Sequence, residues 1–364
     1  MGVLSGIRIV EIAGLGPGPF CGMLLADLGA DVIVVERPEA TGGVTDMEAS
    51  NILNRGKRSV GLDLKKPEDK EKVLRLIEKA DGLIEGMRPG VMERLGLGPD
   101  VCQARNPRLV YGRMTGWGQS GPLAQTAGHD INYIGLSGAL FYSGLPGQPP
   151  VAPPTLVGDL GGGALYLAVG LLAGILAAKA EGKGRVVDAA IVDGSAHLMN
   201  LLLSLNAGNP QAFTRGKTLL DGPHWFRAYL CADGKHVTIG PVEPKFYALL
   251  LDKLGLKDDP AFRAQYDEAQ WPAQTQKFET LFAARSSADW RALLEGADVC
   301  FAPVLNPGEA AEHPHNQARG TFSAPEGLLQ AAAAPRFSGE PAFVAPAIPK
   351  RGEHTEEVLR EFGL

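Results

Sequence analysis

The chain has 364 residues, with 35 Lys and Arg against 41 Asp and Glu, a net charge of −6. That balance excludes a protein that grips nucleic acid through a broad basic surface, which has to displace counterions from the phosphates. With 45% hydrophobic and 21% charged residues the chain is not disordered, and its length suits one large core or two ordinary ones. Cys21, Cys102, Cys231 and Cys300 are far apart and form no CxxC pair, which points to free thiols in a reducing compartment. Met1-Gly2-Val3-Leu4-Ser5-Gly6 has Gly6 where myristoylation needs Ser or Thr, and Glu361-Phe362-Gly363-Leu364 is no peroxisomal address. A cytoplasmic protein is expected.

The first third alternates strand and helix. Ile7–Ile12 and Val32–Val35 are short β-branched runs, and Phe20–Leu28 between them has helical spacing. Ser59–Leu64 predicts another strand, Pro67 opens a helix with Glu68 and Asp69 in its first turn, and Leu83-Ile84 and Leu109–Tyr111 continue the series. This order predicts an α/β fold, a doubly wound, Rossmann-like sheet. Leu160–Ala178 carries no charge and is long enough for a membrane span, but it is rich in Gly and Ala, which favours a buried helix and no membrane. A short strand follows at Arg185–Asp188. Two apolar runs, Tyr229–Ala232 and His236–Ile239, flank Asp233-Gly234 and predict a hairpin. Helices are expected near 244–255, 272–285 and 288–296, the last opened by a Ser286/Asp289 capping box. The reading gives a large domain over 1–208, completed by about 320–364, and a smaller α+β domain over 225–305. The Pro/Gly/Ala-rich tail from about 305 carries little regular signal and is expected to cross back over the first domain.

Several motifs admit two readings. Gly14-Leu15-Gly16-Pro17-Gly18-Pro19, with Glu36 ending the second strand, has the outline of a dinucleotide fingerprint. It fails in detail, because Pro17 and Pro19 lack the N–H groups that cradle a pyrophosphate. Arg55, Lys57 and Arg58 either hold phosphates or lie on a solvated loop. Arg88 follows a strand, where ligands sit in such sheets. His313-Pro314-His315 lacks the further ligands of a zinc site, and Gly194-Ser195-Ala196 is not a nucleophile elbow. Asp159, just before Gly161-Gly162-Gly163, is either a helix cap or a base beside backbone donors.

In order and spacing these runs resemble the family III CoA transferases. The matching segments are Glu11–Pro19, Arg88–Gly96, Thr115–Pro122, Gly128–Tyr133, Val157–Gly163, Cys231–Gly234 and Glu243–Tyr247. The resemblance implies two domains in an interlocked homodimer, with CoA held mainly by the large one. It implies a CoA thioester site lined by Arg37, Leu62, Asp63, Leu64, Lys65, Gly86, Met87, Arg88, Arg94, Gly128, Asp130, Ile131, Asn132 and Tyr133. Asp159 matches the aspartate that is the nucleophile of the family's transferases. His129 and Glu243 match residues added in its racemase branch, which makes racemisation of 2-methylacyl-CoA thioesters the favoured activity and CoA transfer the alternative. One run departs from the pattern: Gly222-Pro223-His224-Trp225-Phe226-Arg227 stands where such racemases carry Gly-Ala-Pro-Tyr-Tyr, so acyl-chain specificity is where this chain is expected to differ.

The implied chemistry suits the residues. A thioester acidifies the neighbouring C–H, and inverting that carbon through an enolate takes two bases on opposite faces. His129 would serve the S epimer and Asp159 the R epimer, with Glu243 orienting the imidazole. Backbone N–H groups at the start of the Gly161–Gly163 helix would stabilise the enolate oxygen. Neither metal nor redox cofactor is expected, CoA being part of the substrate.

Overall fold

The computed structural model describes residues 2–39, 50–339 and 343–364. The chain divides into two units, one of Met1–Ala139, Pro153–Leu198 and Pro314–Leu364, the other of Leu140–Ala152 and Met199–His313.

In the first unit, β1 (Arg8–Ile12), β2 (Asp31–Glu36), β3 (Arg58–Gly61), β4 (Gly82–Glu85), β5 (Val110–Thr115) and β6 (Val186–Ala190) form one sheet in the order β3-β2-β1-β4-β5-β6. Every pairing is parallel, and Val10 of β1 stands level with Ile33 and Leu83. This is the doubly wound order, in which the chain builds outward first on one side of β1 and then on the other; the strand order therefore reverses between β1 and β4, where such sheets open a ligand crevice. The inner strands β1, β2, β4 and β5 are buried on both faces, which explains why Val32–Val35 reads as a continuous apolar run rather than an alternating one. The connecting helices are α1 (Pro17–Asp27), α2 (Pro67–Glu78), α3 (Val91–Leu95) and α4 (Pro99–Arg105). Strand β3 ends at Gly61, short of the expected Leu64, because Asp63 turns to accept at its side chain from Lys65 N–H.

Beyond β5 come α5 (Asp130–Ser137), a π-helical segment Leu156–Ala164, α6 (Leu165–Glu181) and α7 (Ile191–Leu198). By length and hydropathy Leu156–Glu181 would cross a membrane, yet Leu167, Leu171 and Ile175 are packed into the core against the sheet. The expectation of a buried helix holds for that face alone. The other exposes Leu165, Val169 and Leu176, the last at 71%.

The basic cluster after residue 54 follows neither of its expected fates. Arg55 is buried against Asp27, at 2.6 Å, and Gln330. Lys57 Nζ lies 2.6 Å from Glu11 Oε2 and also donates to the Pro19 carbonyl. Arg58 pairs with Asp31 and Glu361, both at 2.6 Å. Carboxylates from α1, β1 and β2 thus consume the charges that looked available for phosphates. The tail also carries more structure than its composition suggested, including helices at Pro307–Glu312, Pro314–Arg319 and Thr355–Glu361. The last of these packs on β3, where Thr355 Oγ1 accepts from Gly61 N–H at 2.9 Å.

The second unit is built on β7 (Arg227–Leu230), β8 (His236–Ile239) and β9 (Phe301–Pro303), an antiparallel sheet. The unit's helices include α8 (Asn200–Leu205), α9 (Pro244–Lys253), α10 (Trp271–Ala283) and α11 (Ser287–Leu294), of which the last three supply its core. The Asp233-Gly234 turn closes the hairpin as expected, and Asp233 Oδ2 also accepts from Ser287 N–H and Oγ. The Ser286/Asp289 capping box is formed. His224 and Trp225 are fully buried among Tyr229, Tyr247 and Phe278, so the departing run is largely part of this unit's core; only its Phe226 end is open.

Replacing Lys57 by Met leaves the buried Glu11 carboxylate without its counter-ion, so unfolding in urea is expected to show a loss of about 3–5 kcal/mol. The double variant Lys57→Met/Glu11→Leu should recover most of that loss. A single variant within about 0.5 kcal/mol of wild type would mean that the pair is not buried as described.

Candidate active site

Two adjoining cavities open at the carboxyl ends of β1, β2, β4 and β5, all within the first unit. They share Ile12, Gly14, Leu15, Pro19 and Met87, so the β1–α1 turn is the ridge between them. The larger, about 510 Å³, has Val34, Val35 and Leu62 in its wall and Arg37, Lys65 and Arg351 among its polar groups. The smaller, about 320 Å³, is lined by Arg88, Trp117, His129, Tyr133 and Asp159 among others.

The larger cavity is unlike that of a dinucleotide enzyme. There the acid ending the second strand accepts from ribose hydroxyls. Here Ser59 Oγ donates to Glu36 Oε1 at 2.5 Å, and Arg351 Nη1 lies 3.4 Å from Glu36 Oε2. Glu36 is therefore occupied, and Arg37 and Lys65 also line the cavity. The turn itself bends through Gly16 at φ +64°, and Pro17 starts α1.

Asp159 is not a helix cap. It sits in the first turn of the π-helix, whose N-cap is Thr155; Leu160 N–H donates to the Thr155 carbonyl at 3.0 Å and Leu165 N–H to that of Leu160. The Gly161–Gly163 amides lie inside this i→i−5 ladder, so they do not supply the oxyanion contact expected of them. Their glycines serve close packing instead. A Cβ on Gly162 would lie 2.5 Å from Ser195 Oγ and 2.6 Å from Ser195 N, and one on Gly194 would lie 1.8 Å from the Gly162 carbonyl oxygen. The π-helix and α7 thus meet backbone to backbone, which explains the Gly194-Ser195 pair without any nucleophile. Across the cavity, the Cβ position of Gly16 is 3.6 Å from Asp159 Oδ2. Burial, and then the neighbouring Asp130 charge, push the Asp159 carboxyl up to about 6, while His129 pulls it down.

His129 occupies the N-cap position of α5. Its backbone N–H donates to Asn132 Oδ1 at 3.0 Å, and the Tyr133 hydroxyl donates to the Gly128 carbonyl, so the chain is fixed on both sides of the imidazole. Trp117 meets Tyr133 edge to face, with centroids 4.7 Å apart. The N-terminal ends of α1 and α5 both border this cavity, and their dipoles favour negative charge there.

Of the residues expected to bind the thioester, Arg37, Leu62, Asp63, Leu64, Lys65 and Met87 line the larger cavity. Gly86, Met87, Arg88, Gly128, His129, Tyr133 and Asp159 line the smaller. The side chains of Asp130, Ile131 and Asn132 take other places. Asp130 is buried, Ile131 is 58% exposed, and Asn132 caps the helix. Arg94 lies on α3 with its guanidinium beside Gly90. Glu243 is in the second unit, exposed at the N-cap of α9, and its charge adds to burial in raising the Cys300 thiol. Sequence reasoning missed Arg351 and Pro349, which reach the larger cavity from the tail without any local motif.

Residues 4–355 match CoA-transferase family III. The chain belongs to that family. Among its relatives, alpha-methylacyl-CoA racemase of Mus musculus is 43% identical over 365 residues, covering 100% of this chain and 94% of the mouse protein. The Homo sapiens protein of that name is 42% identical over 372 residues, covering 99% and 94%. The crystal structure of a CAIB/BAIF family protein from Brucella suis matches with a TM-score of 0.83 at 26% identity, over 99% of each chain.

Two adjacent glycines differ in what an added methyl group would meet. Gly162→Ala forces a backbone atom and should lower stability by about 1–3 kcal/mol. Gly161→Ala meets nothing nearer than the Leu156 carbonyl oxygen at 3.1 Å and should cost distinctly less. Equal urea midpoints for the two variants would contradict the backbone contact.

Proposed function

We propose that the protein interconverts the R and S epimers of 2-methylacyl-CoA thioesters by two-base proton transfer. The observation that carries this reading is that His129 and Asp159, two groups able to hold a proton, line one cavity at the β1/β4 reversal point. The relatives named alpha-methylacyl-CoA racemase support it.

One base removes the α-proton. The C–H electron pair forms the enolate double bond, and the carbonyl pair moves onto oxygen. The other base then delivers a proton to the opposite face, and the C–S bond is never broken. Asp159 acts on the R epimer and His129 on the S epimer. Burial that raises the Asp159 carboxyl makes it a stronger base than a solvated carboxylate, nearer an imidazole in proton affinity. The ends of α1 and α5 favour the developing enolate charge. Proton transfer alone leaves no net redox change, so the reading needs no cofactor beyond the CoA of the substrate.

The nucleotide occupies the larger cavity, with phosphates toward Arg37 and Lys65, and the thioester passes over the β1–α1 turn toward Arg88. Glu243 orients the His129 imidazole in a homodimer. The exposed Leu165, Val169 and Leu176 face of α6 supports burial against a second copy.

Incubation of either epimer in heavy water without any acceptor acid should place deuterium at the α-carbon. His129→Ala should spare some exchange from the R epimer, and Asp159→Ala some from the S epimer. Both directions run on the singly protonated His129/Asp159 pair, so kcat/KM should fall tenfold per pH unit below a limb near the raised Asp159 value of about 6. Acceptor-dependent CoA transfer without α-exchange would replace this reading with CoA transfer through Asp159.

A further inference from the structure

The buried carboxylate of Asp130 lines neither of the two cavities. It neighbours His129 in sequence, yet its side chain lies beneath the cavity wall, only 8% exposed. Its Oδ1 accepts two backbone hydrogen bonds from another segment, from Gly158 N–H and Asp159 N–H, each at 2.9 Å. These donors belong to the first turn of the π-helix, whose amides would otherwise lack helical partners. One carboxylate oxygen therefore ties the start of α5, which carries His129, to the turn that carries Asp159.

We propose that Asp130 is the positioning residue of the two-base site, holding Asp159 at its station through two backbone hydrogen bonds and placing a carboxylate beside it. This deepens the racemase reading and rests on it. The arrangement does two separable things. The hydrogen bonds fix where the Asp159 Cα lies relative to His129, because both bases hang from elements that Asp130 joins. The charge, held close in a partly desolvated place, disfavours a second negative charge on Asp159. The groups facing Asp159 from the packed elements are few. From α5 and its cap come Asp130, His129 and the Tyr133 phenol, and from the loop after β4 comes Arg88. The first turn of α1 holds no acid, and α7 carries Asp193 and His197, the latter bonded to Tyr166. Asp188 of β6 accepts from Gln119 N–H. Among these, the Asp130 charge raises the Asp159 carboxyl and the His129 imidazole lowers it.

The two functions are separated by two variants. Asp130→Asn keeps an oxygen to accept both N–H groups but removes the charge. Its kcat/KM acid limb should move down by about half a pH unit or more, toward the ordinary carboxylate range. Asp130→Ala loses the hydrogen bonds as well and should lose a further ~10–100-fold in kcat, the usual effect of removing an outer positioning group. The Asp159 carboxyl is also titrated directly by ¹³C NMR on protein labelled at Asp carboxyl carbons, its signal assigned by its loss in Asp159→Asn. That titration should shift down in Asp130→Asn whether or not the enzyme racemises. An unmoved Asp159 titration in Asp130→Asn overturns the charge role, and equal activity of the Asn and Ala variants overturns the positioning role. Absence of α-exchange in wild type, with the titration shift intact, overturns the racemase reading and leaves the Asp130 assignment standing.

Discussion

Taking the Asp159 carboxylate partly out of water is the constraint on which the rest of the site depends. A solvated carboxylate is too weak a base to compete for a proton beside a thioester, and burial is what raises it. Burial needs walls that come very close, and the chain provides them with backbone rather than side chains. Gly162 and Gly194 let the π-helix and α7 touch, and Gly16 brings the β1–α1 turn to the opposite side of the carboxylate. Three segments remote in sequence meet there because the parallel sheet brings the carboxyl ends of β1, β5 and β6, after which they follow, to one edge.

That scaffold is shared with dinucleotide enzymes, and the chemistry lies in how its crevice is filled. At the place where a ribose would be read, Glu36 is occupied by Ser59 and Arg351. At the place where a pyrophosphate would be cradled, Pro17 begins α1 without an N–H to offer. What remains is a larger cavity with Arg37 and Lys65 in its lining and a smaller one lined by His129 and Asp159. The division suits a ligand with a charged nucleotide end and a neutral reacting end.

The strands were legible because burial on both faces leaves a run such as Val32–Val35 that composition alone betrays. The 229–239 hairpin and the Ser286 cap were legible because local turn chemistry fixes them. His129 and Asp159 were found by resemblance, and the shared cavity gives that pairing a geometric basis. The rest depended on partners that no local pattern names. Arg55, Lys57 and Arg58 read as a phosphate site or a solvated loop because their carboxylates come from α1, β1, β2 and the last helix. The glycine triplet read as an oxyanion donor because sequence does not distinguish a π-ladder from a helix end. His224 and Trp225 read as a specificity change, and in the fold they pack a core. Asp130 read as a ligand contact because its direction, inward beneath the cavity wall, is set by tertiary structure.

The central claim is that protons enter and leave opposite faces of the α-carbon through different groups. The most direct test starts from each pure epimer of a 2-methylacyl-CoA in heavy water and follows configuration and isotope together at early turnover. The donating group holds a solvent deuteron and the abstracting group the substrate's own proton, so inverted product should already carry deuterium while recovered substrate of the starting configuration stays largely unlabelled. Inverted product that keeps its original hydrogen would show a single group carrying the proton across, and would contradict the assignment of His129 and Asp159 to separate faces.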